Sequence, residues 1–393
     1  MNGAALPIIA VLGVDTPIGL SVIRELGRCG LTVHGIGRKA HAIGGASKYC
    51  AALHVRGQSG LAEWLPELLA AVGADALLAV SEGDLVALSA MPDVIGKCRI
   101  LTPRPEPLAI VLDKQRTLEV ARGIGIRVPD SWQPDGASDW QQASQTLAYP
   151  LIAKWSDPPA MVEQLSEAGL DLIKAERIET PAQLLDVRDR YAPIGAWPLI
   201  QSFCPGEGVG QMLHMVGRRA TLRFQHRRIH EWPPEGGVST LCETLPDGAF
   251  AEQMALSERL LAAIGWQGPA MVEYRHDPAT GNFWLMEVNG RFWGSLPLAT
   301  AANAWFAREQ VAQAFPALPI PPEPARRTAK ARFMIPETRR LFRILQQGGG
   351  EGRLRAVASY VGGFLNPAMR YYVWSLDDPR PMLRDLSNII LRR

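Results

Sequence analysis

The first hundred residues alternate short apolar runs with helix-length segments, and no other feature constrains the fold of this chain as strongly. The segment at 17–30, PIGLSVIRELGRCG, has the pattern of an amphipathic helix. The apolar runs around it have the length of strands and lie at 8–14, 32–38, 76–82 and 99–103. Strands that alternate with helices favour an open parallel α/β sheet, because parallel neighbours need a long crossover. This first region is therefore predicted to form an open parallel α/β sheet.

A second region, residues 105–320, has a different pattern. It follows a proline-rich stretch and opens with a predicted helix at 113–125; a second helix is predicted at 250–265. Isolated strands are predicted at 149–155, 171–177, 198–203, 211–216, 220–229, 270–277 and 282–289. The pattern indicates an α+β domain with mainly antiparallel pairing.

The third segment, residues 321–393, is predicted to be basic and mainly helical. From 323 to 393 it contains 14 Lys and Arg against 6 Asp and Glu, although the whole chain carries only +2. The segment is either a solvated helical tail or a docking surface for a partner, an anionic substrate or a membrane surface. The overall charge does not indicate a nucleic-acid partner, and the sequence leaves the oligomeric state open.

The five cysteines are scattered and include no CxxC pair. This pattern argues against a disulfide framework and against a cysteine-based zinc site. No apolar run reaches the length of about 18 residues that a membrane-spanning helix needs, and the N-terminus has no basic region typical of a signal peptide. The sequence therefore predicts a cytoplasmic protein.

The stretch at 271–295, MVEYRHDPATGNFWLMEVNGRFWGS, has the most informative chemistry. Its two predicted strands flank PATG, with Glu273 on the first and Glu287 and Asn289 on the second. Residues i and i+2 of a strand share a face, so Glu287 and Asn289 point together. Carboxylate and amide oxygens suit Mg²⁺, and Arg291, which continues the same parity, could grip a phosphate. The alternative is an exposed hairpin with ordinary surface charges. It is unfavourable because Glu287 lies inside an apolar run, where an unpaired carboxylate is costly.

Basic residues supply a second component. Lys154 ends the apolar strand PLIAKW, and Lys114 begins a helix after Asp113; either is suited to neutralise phosphate. A basic cluster precedes EGGVST and contains Arg223, His226, Arg227 and Arg228. It is either a charged strand edge or a site for the carboxylate substrate or the γ-phosphate, and Arg228 is then the predicted contact.

Several motifs occur in one order along the chain. They are Asp113-Lys114 with GIRVP, PLIAKW, LIQSFCPGEG, RRIHEWPPEGGVST, GPAMVEYRHD and LMEVNGRFWGSLPLA. In this set the chain resembles the ATP-grasp superfamily, in particular the carboxylate–amine ligases related to the large subunit of carbamoyl-phosphate synthase. The resemblance covers residues 105–310, and residues 1–104 as the domain that precedes ATP-grasp in such enzymes. The last 70 residues match only loosely.

The resemblance implies a Rossmann-like pre-ATP-grasp domain at 1–104, a two-lobed ATP-grasp domain at 105–320 and a helical C-terminal segment. It implies an ADP-forming ligase that activates a small-molecule carboxylate as an acyl phosphate for attack by an amine. ATP would be bound at its phosphates by Lys114 and Lys154, and at its adenine by the backbone of Gln201, Ser202, Phe203 and Cys204. Mg²⁺, or alternatively Mn²⁺, would be bound by Glu273, Glu287 and Asn289. Arg291 would steady the acyl-phosphate chemistry.

Two features depart from that family's pattern. A glycine-rich loop is missing after Lys154, so GEGVG at 206–210 or PPEGGVST at 233–240 would have to cover the phosphates; and Ser202 stands where relatives often have glutamate. Two other functions stay open. One is an ATP-binding regulatory or scaffold protein without turnover. The other is an NAD(P)-dependent oxidoreductase, for which GVDTPIG supplies only two of three fingerprint glycines.

Overall fold

A computed structural model describes residues 6–156, 158–173, 175–233, 237–317, 319–347 and 352–391, without the side chains of 158–160. The chain forms two compact units. The first unit comprises Met1–Val120, Gly208–Tyr274 and Glu287–Arg393, and the second comprises Ala121–Glu207 and Arg275–Met286. No helix in the described parts of the chain is both long and apolar enough to cross a membrane.

The first unit opens with the predicted α/β sheet. Its strands are β1 (Ile8–Leu12), β2 (Thr32–Gly37), β3 (Ala52–Val55), β4 (Ala76–Ala79), β5 (Val94–Ile95) and β6 (Cys98–Ile100). Its helices are α1 (Pro17–Arg28), α2 (Leu61–Val72) and α3 (Glu82–Ser89), followed by α4 (Pro105–Leu112) and α5 (Lys114–Gly123). The strand order is β3-β2-β1-β4-β6-β5, and every pair is parallel except β5 with β6. The predicted parallel α/β sheet is thus confirmed; the sequence patterns missed β3 and β5, which are short.

Local sequence explains the start of this sheet. The residues of β1 are almost entirely buried because helices cover both faces of a parallel sheet. Gly13 follows with φ +96°, a conformation that favours glycine. Thr16 then caps α1 by accepting a hydrogen bond from the Gly19 amide at 3.3 Å, and Pro17 occupies the first helical turn.

The second unit is a small α+β body. It contains β7 (Ser131–Trp132), α6 (Trp140–Thr146), β8 (Leu151–Lys154), α7 (Pro158–Glu167), β9 (Glu176–Ile178), α8 (Pro181–Tyr191) and β10 (Leu199–Ser202). The sheet order is β7-β10-β8-β9, with antiparallel pairs. The strand predicted at 171–177 begins later than expected, because Leu172 is exposed whereas Ile178 is fully buried against the core.

A seven-stranded sheet completes the fold. It consists of β11 (Glu207–Val216), β12 (Arg219–Trp232), β13 (Val238–Thr244), β14 (Gly268–Asp277), β15 (Asn282–Asn289), β16 (Lys330–Arg332) and β17 (Met369–Tyr371). The order is β15-β14-β11-β12-β13-β16-β17. The helices are α9 (Ala251–Ile264), α10 (Leu296–Ala301), α11 (Phe306–Ala314), α12 (Met334–Gln347), α13 (Arg353–Gly362) and α14 (Arg380–Ile390). The C-terminal segment is helical as predicted, but it also adds the last two strands of this sheet.

A buried ion pair joins the two ends of the chain within the first unit. Arg24 of α1 donates from Nε to Asp378 at 2.9 Å and from Nη2 to the Val373 carbonyl at 2.8 Å. Asp378 also accepts from the Ser47 hydroxyl and the Lys48 amide. Every carboxylate oxygen therefore has a donor, as a buried charge requires.

Glu25 is a second buried acid of α1, and it makes stability depend on pH. Its carboxylate accepts from the Thr300 hydroxyl at 2.5 Å and from the Ala307 amide at 2.9 Å, but burial raises its pKa to about 7. The folded state therefore binds more protons than the unfolded chain between about pH 4.5 and 7, so stability falls as pH rises through that window. The expected loss is about 3 kcal/mol.

We expect Glu25→Gln to remove most of this pH dependence, because a neutral amide satisfies both neighbours without an ionisable group. Urea unfolding at pH 5 and pH 8 measures the change. The exposed Glu63→Gln serves as the matched control and should keep the wild-type slope. An unchanged slope in Glu25→Gln would assign the pH dependence to other groups.

Candidate active site

The side chains of Glu287 and Asn289 point to the same face at the end of β15. The Asn289 amide donates to Glu287 Oε1 at 2.9 Å, which confirms the predicted parity. Lys114, the first residue of α5, places Nζ 3.7 Å from Glu287 Oε2. Glu287 and Lys114 are about one-third exposed, so the carboxylate and the ammonium group are open to a ligand.

Glu273 lies on β14 and is paired with Arg228 of β12, although β11 runs between these strands. Arg228 Nη2 donates directly to Glu273 Oε2. Gly208 on β11 explains how the arginine crosses, since a Cβ there would lie 2.9 Å from Arg228 Cδ. A larger residue at this position would displace the guanidinium from the carboxylate.

Glu231 joins the same cluster, 3.5 Å from Arg228 Nη1. Residues three apart on a regular strand point to opposite faces. The pairing of β12 with β13 is irregular between Arg228 and Glu231, however, and such bulges re-aim side chains. This is why the strand pattern did not reveal Glu231 as part of the site.

The cluster carries excess negative charge. Burial raises the pKa of Glu273; Arg228 opposes this effect, whereas Glu287 and Glu231 reinforce it. Burial alone would lower the pKa of Arg228, but the three carboxylates together raise it. With three acids around one largely buried arginine and one lysine that is about one-third exposed, the site favours an additional cation.

Arg291 lies just beyond β15. Its Nε is 3.6 Å from the carboxylate of Glu82, the first residue of α3, and Nη1 donates to the Phe292 carbonyl at 3.1 Å. Arg291 lines a cavity of about 70 Å³ together with Lys114, Glu287 and Asn289. Glu82 was not predicted, because it comes from a distant part of the sequence and its neighbourhood carries no motif.

Lys154 and the adenine-binding segment predicted at 201–204 belong to the second unit. Lys154 ends β8 opposite Leu199 of β10, and its ammonium group is close enough to Cys204 to lower that thiol's pKa. Burial is the larger effect and raises the pKa of Cys204 to about 11, so the thiol stays protonated. Lys154 thus lies on the strand next to the one that contains Gln201 and Ser202.

The backbone of residues 201–204 is partly engaged. The Ser202 amide donates to the Asp130 carbonyl and the Phe203 amide donates to the Pro150 carbonyl, at 2.9 and 3.1 Å. The Gln201 side chain is buried and donates to Ser131 Oγ. The amides of Ser202 and Phe203 are therefore used within the fold, and Gln201 lies inside β10 between two paired strands, so fewer backbone groups of this segment are available to a base.

The rest of the predicted basic cluster is structural. Arg223 pairs with Glu258 at 2.7 Å and Arg227 with Glu243 at 2.6 Å. His226 is fully buried and hydrogen-bonded to Ser295, and burial lowers its pKa to about 3. Of the four residues, Arg228 alone lies in the carboxylate cluster. The sequence predicted that Arg228 contacts substrate. In the structure its guanidinium binds the carboxylates of Glu273 and Glu231, which favours a role in positioning them.

The two predicted covering loops have different outcomes. GEGVG is not a loop beyond Gly206, because Glu207 to Gly210 form the start of β11 and pair with β12. In the second candidate, 233–240, residues 234–236 lie outside the described part of the chain.

The donor set suits a hard divalent cation. Glu273 and Glu287 supply carboxylate oxygens. The amide oxygen of Asn289 remains available to a cation, because it is the amide nitrogen that donates a hydrogen bond to Glu287. Mg²⁺ is commonly held by one or two carboxylates and completes its shell with phosphate and water oxygens. In the described residues no three His, Cys, Asp or Glu side chains form a metal-binding group on their own.

Comparison with curated proteins gives several D-alanine–D-alanine ligases as relatives. No family model matches the chain. D-alanine–D-alanine ligases from Chromohalobacter salexigens and Stutzerimonas stutzeri are 26% and 27% identical to it over 186 residues, which is 46% of this chain and 55% of each relative. The chain thus spans about half the length of these curated relatives.

Solved structures match over more of the chain. An N5-carboxyaminoimidazole ribonucleotide synthetase in complex with ADP aligns with a TM-score of 0.66 at 13% identity and covers 100% of this chain and 99% of its own. The Staphylococcus aureus N5-carboxyaminoimidazole synthetase gives 0.62 at 14% identity over 88% of both chains. The biotin carboxylase domain of Hydrogenobacter thermophilus 2-oxoglutarate carboxylase, with MgADP and bicarbonate, gives 0.58 at 14%, over 78% of this chain and 70% of the domain. The chain therefore has the fold of these ATP-grasp enzymes, and its sequence resembles ligases of that kind.

Proposed function

We propose that this protein is an ATP-dependent ligase that activates a carboxylate as an acyl phosphate for attack by an amine. The observation that carries the proposal is the convergence of Glu273, Glu287 and Asn289 beside Lys114 and Arg291 in the first unit. The ligase, synthetase and carboxylase names of the similar proteins support it.

Mg²⁺, or Mn²⁺ with the same preference for oxygen, would be held by Glu273, Glu287 and Asn289. When bound, it supplies charge neutralisation at the phosphate oxygens. Arg228 is assigned a positioning role, because it fixes the Glu273 carboxylate from within the sheet. Lys114 is placed to neutralise a phosphate next to Glu287.

In the second unit, Lys154 would contact the phosphates, and the backbone of 201–204 would receive the adenine. Both assignments come from the resemblance and from the proximity of Lys154 to Cys204. Ser202 and Phe203 use their amides within the unit, so the base would use the remaining carbonyl and amide groups of the segment.

The reaction consists of two displacements. A carboxylate oxygen attacks the γ-phosphorus, and the bond to the β-phosphate oxygen breaks to release ADP. The amine nitrogen then attacks the acyl carbon, the carbon–oxygen bond to phosphate breaks, and the amine loses a proton as phosphate departs. The chain contributes positioning and charge neutralisation, and Arg291 is suited to hold a phosphate oxygen with its planar fork.

A screen for phosphate release across carboxylic acids and amines, alone and paired, tests the proposal. A ligase releases phosphate and ADP in equal amounts, and only when both partners are present. ATP binding without ADP formation in every combination would instead support the regulatory or scaffold function.

The oxidoreductase alternative has no support among the similar proteins named above. The Asp15 carboxylate also accepts a hydrogen bond from the Arg38 amide at 2.8 Å, within the turn that a dinucleotide would use.

Contact with an anionic membrane surface through the C-terminal segment is a further proposal. Helix α13 presents Leu354, Val357 and Val361 outward at helical spacing, and Leu354 is 89% exposed. Arg353 and Arg355 are exposed beside them. An exposed apolar helix face flanked by arginines is typical of peripheral membrane binding.

We expect the protein to sediment with vesicles that contain phosphatidylserine and not with pure phosphatidylcholine vesicles. Leu354→Ser should weaken this binding severalfold, whereas Val55→Ser, an exposed apolar residue of β3, should not. Equal sedimentation of the Leu354 variant would remove α13 from the contact.

A further inference from the structure

A large cavity in the first unit has a lining that differs from that of the carboxylate cluster. It has a volume of about 620 Å³ and lies between α1, α10 and the chain that follows β17. None of Lys114, Glu273, Glu287, Asn289 or Arg291 lines it. The ligase proposal therefore leaves this cavity without a role.

Four arginines line the cavity: Arg24, Arg28, Arg327 and Arg370. Arg24 and Arg28 are paired with Asp378 and Asp377. Arg327 donates to the Ala301 carbonyl, and Arg370 donates to the Pro367 and Met369 carbonyls. Within the described residues, neither Arg327 nor Arg370 has a carboxylate in ion-pair range.

These cations are close enough to repel one another. Burial lowers the pKa of Arg327, and the charges of Arg370 and Arg28 lower it further. The positive charges of Arg327 and Arg370 are therefore not balanced by a carboxylate. Their hydrogen bonds to backbone carbonyl groups hold both side chains in place beside the cavity. An arginine pair of this kind suits a doubly charged phosphate group.

Another part of the lining is aromatic and apolar. Tyr371 and Trp374 pack edge to face with centroids 5.2 Å apart, and Tyr371 stacks on Phe364 at 6.1 Å. Trp374 is 38% exposed and Leu376 is 85% exposed at the cavity. An exposed tryptophan beside free cationic charge fits a ligand with a planar apolar body.

We propose that this cavity binds a small phosphorylated compound whose planar part packs against Trp374 and Tyr371 and whose phosphate lies between Arg327 and Arg370. A neutral aromatic compound would leave the arginines unpaired, and a free phosphate ion would leave the aromatic wall exposed. The site is a neighbour of the carboxylate cluster, because Tyr372 of its lining contacts Cys242 at 3.3 Å and Cys242 pairs with Arg228 across β12 and β13.

Phenyl phosphate is the probe, with phenol and inorganic phosphate as its two halves. Saturation-transfer NMR with the full chain measures binding in the presence and absence of saturating ATP. We expect saturable binding of phenyl phosphate that ATP does not displace, and weaker binding of both halves. Arg370→Ala should raise the Kd by about tenfold or more, since it removes a charge-assisted hydrogen bond.

Trp374→Ala is the second variant, because it removes the aromatic wall without touching a buried hydrogen bond, and it should also raise the Kd severalfold. Arg218→Ala is the matched control, an exposed arginine outside the cavity that should bind as wild type. Thermal unfolding shows that each variant is folded. Displacement by ATP, or wild-type binding in folded Trp374→Ala and Arg370→Ala, would overturn the proposal. Absence of saturable binding to the wild-type chain would overturn it as well. The result does not depend on ligase activity.

Discussion

Replacing Glu287 by alanine is expected to lower Mg²⁺-dependent ATP turnover by at least about 100-fold, as is found when a group that stabilises transition-state charge is removed. Glu287 is the part of the proposed metal site that is most open to a ligand, and it also orients Asn289 and faces Lys114. Because the side chain is about one-third exposed, its removal should cost little stability.

ADP release measured against Mg²⁺ concentration tests this prediction, with thermal unfolding as the check on folding. Glu252→Ala removes an exposed carboxylate of α9 and serves as the control, which should keep wild-type turnover. If a folded Glu287→Ala turned over ATP at the wild-type rate, the metal assignment would be wrong.

Arg228→Ala should have the largest effect on stability. It leaves Glu273 and Glu231 next to each other without their arginine, and removing one partner of a buried pair costs about 3–5 kcal/mol. Burial and the neighbouring acids already raise the pKa of Glu273. At low pH the Glu273 carboxylate is protonated and no longer needs the charge of Arg228. The loss of stability caused by Arg228→Ala should therefore be large at pH 8 and smaller at pH 5.

Urea unfolding of wild type and Arg228→Ala at both pH values measures this difference. Adding Glu273→Gln to Arg228→Ala should recover part of the lost stability, because the unpaired charge is then absent. Arg223→Ala breaks the more exposed pair with Glu258 and is the control, with an expected loss of about 1 kcal/mol or less. A pH-independent loss in Arg228→Ala would show that packing, and not charge, is what the arginine supplies.

Local patterns predicted the parts of the structure that local physics decides. The period-two pattern of β15 placed Glu287 and Asn289 on one face, and strand–helix alternation predicted the parallel order around β1. The position of Lys114 at the start of a helix was also readable, because Asp113 before it accepts from the amides of Gln115 and Arg116.

Features that depend on irregular or distant pairing were not predictable. The bulge that turns Glu231 toward Arg228 changes the parity of β12, and no residue pattern marks it. Glu82 meets Arg291 across a large sequence separation. The cluster around Arg223 and Arg227 looked like a ligand site because their partners, Glu258 of α9 and Glu243 of β13, are remote in sequence.

The ion pair between Arg24 and Asp378 has a consequence for the order of folding during synthesis. Helix α1 emerges from the ribosome early, but the carboxylate that neutralises its buried guanidinium is made 354 residues later. Domains otherwise tend to fold as their N-terminal part emerges. The packing of α1 in the first unit is therefore completed only after residue 378 has been made, long after the strands around α1 have emerged.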